Sequence, residues 1–169
     1  CRILASSQSV QSRQYAAVLL RKKFSKPKNW NKLNGNDQAL IKTGCLESLH
    51  REQEKSVTSA LCALIAVLAR HQPAWTELQQ FILEGVKSEV ARNRILGMQV
   101  LNALADDPSS SDDLAPQLKD WLMLCRKTLN DPDEEVCYLT LLTLTHLVRL
   151  TGSDETNVFQ QLIPNVLQK

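Results

Sequence analysis

The chain of 169 residues is 43% hydrophobic but only 5% aromatic, and it contains just 5 Gly and 6 Pro. Such a composition, rich in Leu and Ala, is typical of helical proteins. The 20 Lys and Arg against 18 Asp and Glu leave a net charge of +2, so charge alone requires no polyanionic partner such as nucleic acid.

Membrane insertion and secretion are not expected, because the sequence has no run of 18 apolar residues and no charged-then-apolar leader. The odd number of cysteines and the lack of a C-x-x-C pair predict reduced, mostly buried thiols at Cys1, Cys45, Cys62, Cys125 and Cys137. We therefore expect a protein of the cytoplasm or nucleus. Because the chain starts without Met and stops inside an apolar pattern, we also expect a piece of a longer protein.

Apolar residues recur at steps of three and four along nearly the whole chain, which predicts amphipathic helices. No segment alternates convincingly with a period of two, so no sheet is expected. Turn-forming residues such as Pro27, Pro73, Pro132 and Gly152 separate the helical segments. In chain order the predicted helices are 1–6, 9–24, 37–52, 54–71, 75–87, 89–105, 113–130, 133–151 and 155–168.

A sequence pattern repeats in every second predicted helix, starting at Arg13, Val57, Arg94 and Cys137, at intervals of 44, 37 and 43 residues. A small residue follows three positions later each time, and a Leu follows seven positions later, at Leu20, Leu64, Leu101 and Leu144. The small residue allows two backbones to approach, and the Leu fills the groove between them. We therefore predict that these four leucines are equivalently buried.

Two helices in each unit of about 40 residues favour HEAT repeats, since armadillo units have three. The predicted fold class is all-α, an alpha-alpha superhelix of about four HEAT repeats. We expect one array over 1–169, with repeats at roughly 1–24, 37–71, 75–105 and 113–151 and the start of another at 155–169.

Catalytic and cofactor sites are not predicted. His50, His71 and His146 lie on three different helices, without metal-ligand spacing, and zinc-protease, serine-hydrolase and phosphate-loop motifs are absent. Carboxylates at 106–107, 112–113 and 131–135 are interpreted mainly as helix caps, because the Gly-spaced ligands of a calcium loop are missing. We expect a non-enzymatic protein without metal or cofactor.

The only clear cluster of basic residues lies at Arg21, Lys22, Lys23, Lys26 and Lys28. We interpret it as a solvated helix end, with a binding patch as the alternative. Each predicted repeat has a first and a second helix, and the repeated pattern lies on the second. Helix geometry also predicts an exposed stripe on these second helices, which line the concave, partner-binding face of most helical-repeat arrays. This second-helix stripe consists of Tyr15, Lys22, Lys26, Ser59, Arg70, Gln99, Asp106, Asp107, His146 and Arg149.

The segment from Ser12 to Lys23 reads SRQYAAVLLRKK and is followed by Trp30-x-x-Leu33 and then by Ile41-Lys42. In this order the elements resemble the amino-terminal domain of importin-beta family karyopherins, with the importin-four and importin-five branch the most similar. Two later segments resemble helices of the same receptors, although Thr76 replaces the usual Pro of the first. They are WTELQQFILEGVKS from Trp75 and RILGM from Arg94.

The resemblance implies a nuclear transport receptor. Its early repeats would bind the small GTPase Ran in its GTP form, and the longer superhelix would carry basic cargo such as histones or ribosomal proteins. It would contact nucleoporins and shuttle between cytoplasm and nucleus, with no direct nucleic-acid contact and no membrane insertion. Two alternatives remain: another HEAT scaffold, such as a phosphatase or chromosome-organising subunit, and a HEAT-like DNA glycosylase, whose groove should be more basic.

Overall fold

The computed structural model describes Leu4 and residues 6–72, 74–107 and 117–150, and these residues contain helices without any strand. The helices are α1 Val10–Phe24, α2 Pro27–Trp30, α3 Gly35–Arg51, α4 Lys55–Ala69, α5 Thr76–Lys87, α6 Ala91–Asp106, α7 Leu118–Thr128 and α8 Glu134–Leu150. No helix among the described residues is long and apolar enough to span a membrane.

The helices form two compact units, Cys1–Phe81 and Ile82–Lys169. In the first unit α4 packs against both α1 and α3. α4 is the most apolar of the described helices, and nine of its fifteen residues are buried. Leu64 and Leu49 are fully buried between these helices, so α4 provides the core of the first unit.

Aromatic residues fix the connection between α1 and α3 in the first unit. Phe24 and Trp30 are each 2% exposed, and their rings meet edge to face at 5.3 Å. The Trp30 ring also stacks on His71 at 5.8 Å, and His71 Nε2 lies 2.7 Å from the Phe24 carbonyl oxygen. Pro27 at the start of α2 has the backbone angle that a first helical turn needs.

In the second unit α8 packs against α6 and α7. Leu101 is fully buried and Leu144 is 7% exposed. Buried hydroxyl groups join the helices: Thr140 Oγ1 donates to Thr128 Oγ1 at 2.8 Å. Asp133 Oδ1 accepts hydrogen bonds from two N–H groups in the first turn of α8, which confirms the capping role predicted for this acidic run.

The predicted helices agree with the structure to within a few residues where both exist, but α2 was missed because its residues were interpreted as a turn. The predicted helices 1–6 and 155–168 lie largely or wholly outside the described residues, as do Asp112 and Asp113. The expectation of four equivalent leucines was wrong for Leu20, which is half-buried. Among the described residues α1 packs mainly against α4, whereas α4 is enclosed by helices on two sides.

Candidate partner-binding surface

The first unit presents four of the five predicted stripe residues to solvent. Tyr15 is 65% exposed, and Lys22, Lys26 and Ser59 are also exposed. Arg70 caps the C-terminal end of α4 and is half-buried. Tyr15 and Lys22 lie on α1 and Lys26 lies just after it, so this end of the stripe combines an aromatic ring with cations, whereas Ser59 lies on α4.

The second unit uses part of its stripe internally. His146 Nδ1 lies 3.3 Å from Asp106 Oδ1, which links α8 to the end of α6. Gln99 is half-buried, and its Oε1 atom has no hydrogen-bond partner within the described residues. Asp106 and Arg149 are exposed, and Asp107 is half-buried. Partner binding by the ten residues, and their union in one concave band, stay predictions.

The predicted stripe missed several exposed apolar side chains on the same helices. Leu19 is 48% exposed one turn after Tyr15 on α1. Helix α8 in the second unit is similar, with Tyr138, Leu141 and Val148 exposed by 63%, 39% and 49%. Their spacing fits the helical period, so a search for apolar residues outside the core positions would have found them.

An arginine clamp stabilises the first unit at the start of the repeated pattern. The Arg13 guanidinium forms a bidentate pair with Glu52, with distances of 2.7 and 2.9 Å. It also donates to the carbonyl oxygens of Ser7 and Gln8 before its own helix. The Glu52 carboxylate accepts hydrogen bonds from the next two backbone N–H groups as well. Arg13 therefore joins its helix to the turn between α3 and α4.

The second unit repeats this clamp in nearly identical geometry. Arg94 pairs with both carboxylate oxygens of Asp131 at 2.7 and 2.8 Å and donates to the carbonyl oxygens of Ser88 and Glu89. These carbonyls lie six and five residues before Arg94, as Ser7 and Gln8 lie before Arg13. Sequence reasoning assigned both arginines to the core side but missed their partners, which follow 39 and 37 residues later.

The clamps lower the pKa of both carboxyl groups. For Glu52, the hydrogen bond from Arg13 is the largest cause, and it outweighs burial. For Asp131, burial acts to raise the pKa, but hydrogen bonds from Arg94 and from the Asp133 N–H lower it below the usual value. Both carboxylates are therefore ionised in the folded protein at neutral pH, and they are structural groups.

Three of the four described cysteines are buried and lack the features of reactive thiols. Burial raises the pKa of Cys45, Cys62 and Cys125 to about 12, so their thiols stay protonated. Within the described ranges no group of three His, Cys, Asp or Glu side chains is placed to hold a metal ion. An open cavity of about 480 Å³ beside the Arg13–Glu52 clamp is lined partly by Glu47, Ser48 and Arg51. The Ser48 hydroxyl group in this cavity donates to the Gly44 carbonyl oxygen at 2.6 Å.

Two family matches cover nearly the whole chain in order. Residues 1–51 match the family described as importin-beta N-terminal domain, and residues 53–169 match the family described as IPO5-like, TPR repeats. The chain is 27% identical to the probable importin-5 homolog of Dictyostelium discoideum over 176 residues, covering 99% of this chain and 16% of that protein. Importin-4 of Homo sapiens is 26% identical, with coverage of 99% and 15%. The chain belongs to the importin-beta family of karyopherins.

The fold comparison agrees with this assignment. The karyopherin chain matches the crystal structure of Kap121p with a TM-score of 0.77 and 22% identity, over 98% of this chain and 16% of that one. A second structure, of Kap121p bound to Ste12p, gives a TM-score of 0.74. These matches confirm the predicted all-α class of HEAT-type helix pairs.

The karyopherin chain spans only 15% to 16% of the length of the relatives to which it is similar. Members of this family are transport receptors and not enzymes, so the DNA-glycosylase alternative is set aside, as are the other HEAT scaffolds.

Two residues of the motifs behind the resemblance, Lys42 and Trp75, are scaffold residues. Lys42 Nζ lies 5.3 Å from the centre of the Trp75 ring and donates to Gln72 at 2.8 Å.

Proposed function

We propose that this karyopherin chain is part of a nuclear import receptor, and that its second helices bind Ran in the GTP form. The observation that carries the proposal is the ordered match of both chain parts to importin families. The exposed face of α1 supports it, because Tyr15 and Lys22 offer an aromatic ring and a cation on one side of a helix end. Aromatic side chains such as Tyr15 are enriched where proteins bind proteins, and the exposed cation Lys22 can steer a partner of opposite charge.

The complete receptor would carry basic proteins such as histones or ribosomal proteins, contact nucleoporins and shuttle between cytoplasm and nucleus. The relatives named importin-4 and importin-5 homolog support this role. Residues 37–169 contain eighteen Asp and Glu against twelve Lys and Arg, an excess that suits basic cargo. The solved structure of Kap121p bound to Ste12p gives one example of a family member in complex with another protein.

The test compares the affinity of the chain for Ran loaded with GTP and with GDP. We expect at least about tenfold tighter binding of the GTP form, within the usual range for a coupling between two sites. The double substitution Tyr15→Ala with Lys22→Glu should weaken that binding about tenfold, because it removes an aromatic contact and reverses a charge. Arg70 is not used in this variant, since its half-buried side chain packs against the fold.

A matched control is available on α7, which lies in the second unit and is the first helix of its repeat. Met123 is 68% exposed and Lys127 is exposed on α7, so Met123→Ala with Lys127→Glu makes the same change in charge and loses a similar apolar contact. We expect affinity within about twofold of the unmodified chain, as for most surface sites outside an interface. Equal affinity for both nucleotide forms, or equal loss in both double variants, contradicts the proposal.

A further inference from the structure

The positive charge of the chain is concentrated at its amino-terminal end. Residues 1–36 contain eight Lys or Arg and no Asp or Glu, whereas the rest of the chain has an excess of acidic residues. Six of these eight cations fall within residues 21–32: they are the basic cluster and Lys32. The near-neutral net charge of the whole chain conceals this asymmetry, which is a recognised sign of an interaction surface.

The end of α1 does not need these cations to satisfy its carbonyl groups. Cationic side chains often bind the last carbonyl oxygens of a helix, but here neutral side chains fill that role. Ser25 Oγ and its backbone N–H both donate to the Arg21 carbonyl at 2.8 Å. Asn29 Nδ2 donates to the Lys23 carbonyl at 2.8 Å. The helix dipole favours the cations of the last turn, but it gives no reason for those beyond the helix.

The cations lie on a fixed support and most of them are exposed; Lys23 Nζ also lies 5.8 Å from the centre of the Phe24 ring. The Phe24–Trp30–His71 stack fixes the segment between α1 and α3. Five of the six cations are exposed and Arg21 is half-buried. Within the part of the chain that the structure describes, none of the six forms an ion pair with a carboxylate. Like charges held this close repel one another, and a partner of opposite charge would relieve this repulsion.

We propose that the basic cluster and Lys32 form a docking site for an acidic protein segment that also carries apolar residues. Tyr15 and Leu19 lie on α1 one turn apart, and Lys22 and Lys23 follow about one turn after Leu19. An acidic segment would pair its carboxylates with the cations and place its apolar residues on Tyr15 and Leu19. Basic cargo is repelled here, so this partner belongs to a different class from the cargo proposed above.

An acidic segment fits this site better than a nucleic acid does. The apolar contact includes the aliphatic side chain of Leu19, which offers no stacking platform, and Tyr15 is the one exposed aromatic ring on α1. Single-stranded nucleic acids bind through several aromatic rings that stack on successive bases. Carboxylates alternating with Leu or Phe match both the charge and the apolar contacts of this surface.

The experiment measures binding of the 169-residue chain to three fluorescent probes. They are an Asp/Glu-rich peptide containing Leu and Phe, the same peptide with Ala at the apolar positions, and an oligouridylate of equal charge. We expect the first peptide to bind at least about tenfold more tightly than the other two, and its binding to weaken with rising salt. The triple variant Lys23→Glu, Lys28→Glu and Lys32→Glu should weaken its binding by about tenfold or more.

The control reverses three exposed cations of α7, namely Lys119, Arg126 and Lys127, and therefore makes the same total change in charge. Its affinity for the first peptide should stay within about twofold, and melting curves of both variants verify that they fold. The triple variant keeps Tyr15 and Lys22, so it should still bind GTP-loaded Ran; the two proposals thus fail separately.

Equal loss in both variants, or oligouridylate binding as tight as that of the first peptide, overturns the docking site. If the triple variant does not fold, Lys28→Glu combined with Lys32→Glu replaces it, with an expected weakening of about fivefold or more; a change within the control's limit of about twofold overturns the docking site.

Discussion

Arg13 and Arg94 show how a single residue type is reused in the same role in two repeats. Each guanidinium binds two carbonyl oxygens before its own helix and one carboxylate from the turn that precedes the next second helix. The planar guanidinium provides these donors in fixed directions, which an ammonium group does not. In the other two repeats Val57 and Cys137 occupy the equivalent position, and Cys137 Sγ donates to the Asp131 carbonyl oxygen at 3.1 Å.

The clamp in the first unit predicts a specific dependence of stability on pH. The folded-state pKa of Glu52 is lowered from its usual 4.5, so its contribution is complete above that value and is lost as the pH falls through the folded-state pKa. At pH 7 the variant Glu52→Gln should therefore unfold at lower urea concentration than the unmodified chain. The difference should shrink as the pH falls below 4.5 and through the lowered folded-state pKa, because the native carboxyl then becomes protonated as well.

Glu47→Gln is the matched control for this measurement. Glu47 is 57% exposed and pairs with Arg51 at 3.4 Å, a surface pair that contributes little to stability. Its urea midpoint should follow that of the unmodified chain at every pH. If Glu52→Gln were as stable as the unmodified chain at pH 7, the clamp would not stabilise the fold.

Among the helices, the second ones of each pair could be predicted best from the sequence. Their apolar positions and small residues identified Leu64, Leu101 and Gly97 as core residues, because helix–helix packing depends on a local pattern. The clamps were missed since no local pattern indicates which of many carboxylates pairs with an arginine nearly forty residues away. The short α2 was missed because Pro27 and the Asn residues around Trp30 are typical of turns as well as of helix starts.

The approach of α5 to α6 makes a second prediction, at Gly85. A Cβ atom at this position would lie 2.9 Å from the Asn93 carbonyl oxygen and 3.4 Å from the Gly97 Cα atom. Backbone atoms must then move, so Gly85→Ala should destabilise the chain by about 1 to 3 kcal/mol, although Ala favours helix formation by about 1 kcal/mol. Chemical unfolding measures this difference.

Gly35 in the first turn of α3 is the control for Gly85. A Cβ atom there meets nothing within 4 Å, so Gly35→Ala should leave the stability unchanged or raise it by up to about 1 kcal/mol. If both Ala variants gained stability, α5 and α6 would lie farther apart than the structure shows.

The chain divides into two units that each bury their own core, as expected for an array in which each repeat contacts mainly the neighbouring repeats. Leu64 in the first unit and Leu101 in the second are both fully buried. Substitution of either by Ala should destabilise its unit by about 2 to 5 kcal/mol. Leu20→Ala should have a smaller effect, because Leu20 is only half-buried.

Amide hydrogen exchange shows which helices open more often in each destabilised variant. In a repeat array, stability is the sum of contributions from each unit and its neighbours, so a damaged unit opens without equal effect on distant helices. Leu64→Ala should therefore increase amide exchange in α1, α3 and α4 by about tenfold or more, with a smaller change in α7 and α8. Leu101→Ala should instead increase amide exchange most in α6 and α8, with a smaller change in the first unit. Leu20→Ala serves as the weakly destabilised reference. Should Leu64→Ala accelerate exchange equally in α4 and α8, the chain would unfold as one cooperative body, and the two units would not open independently.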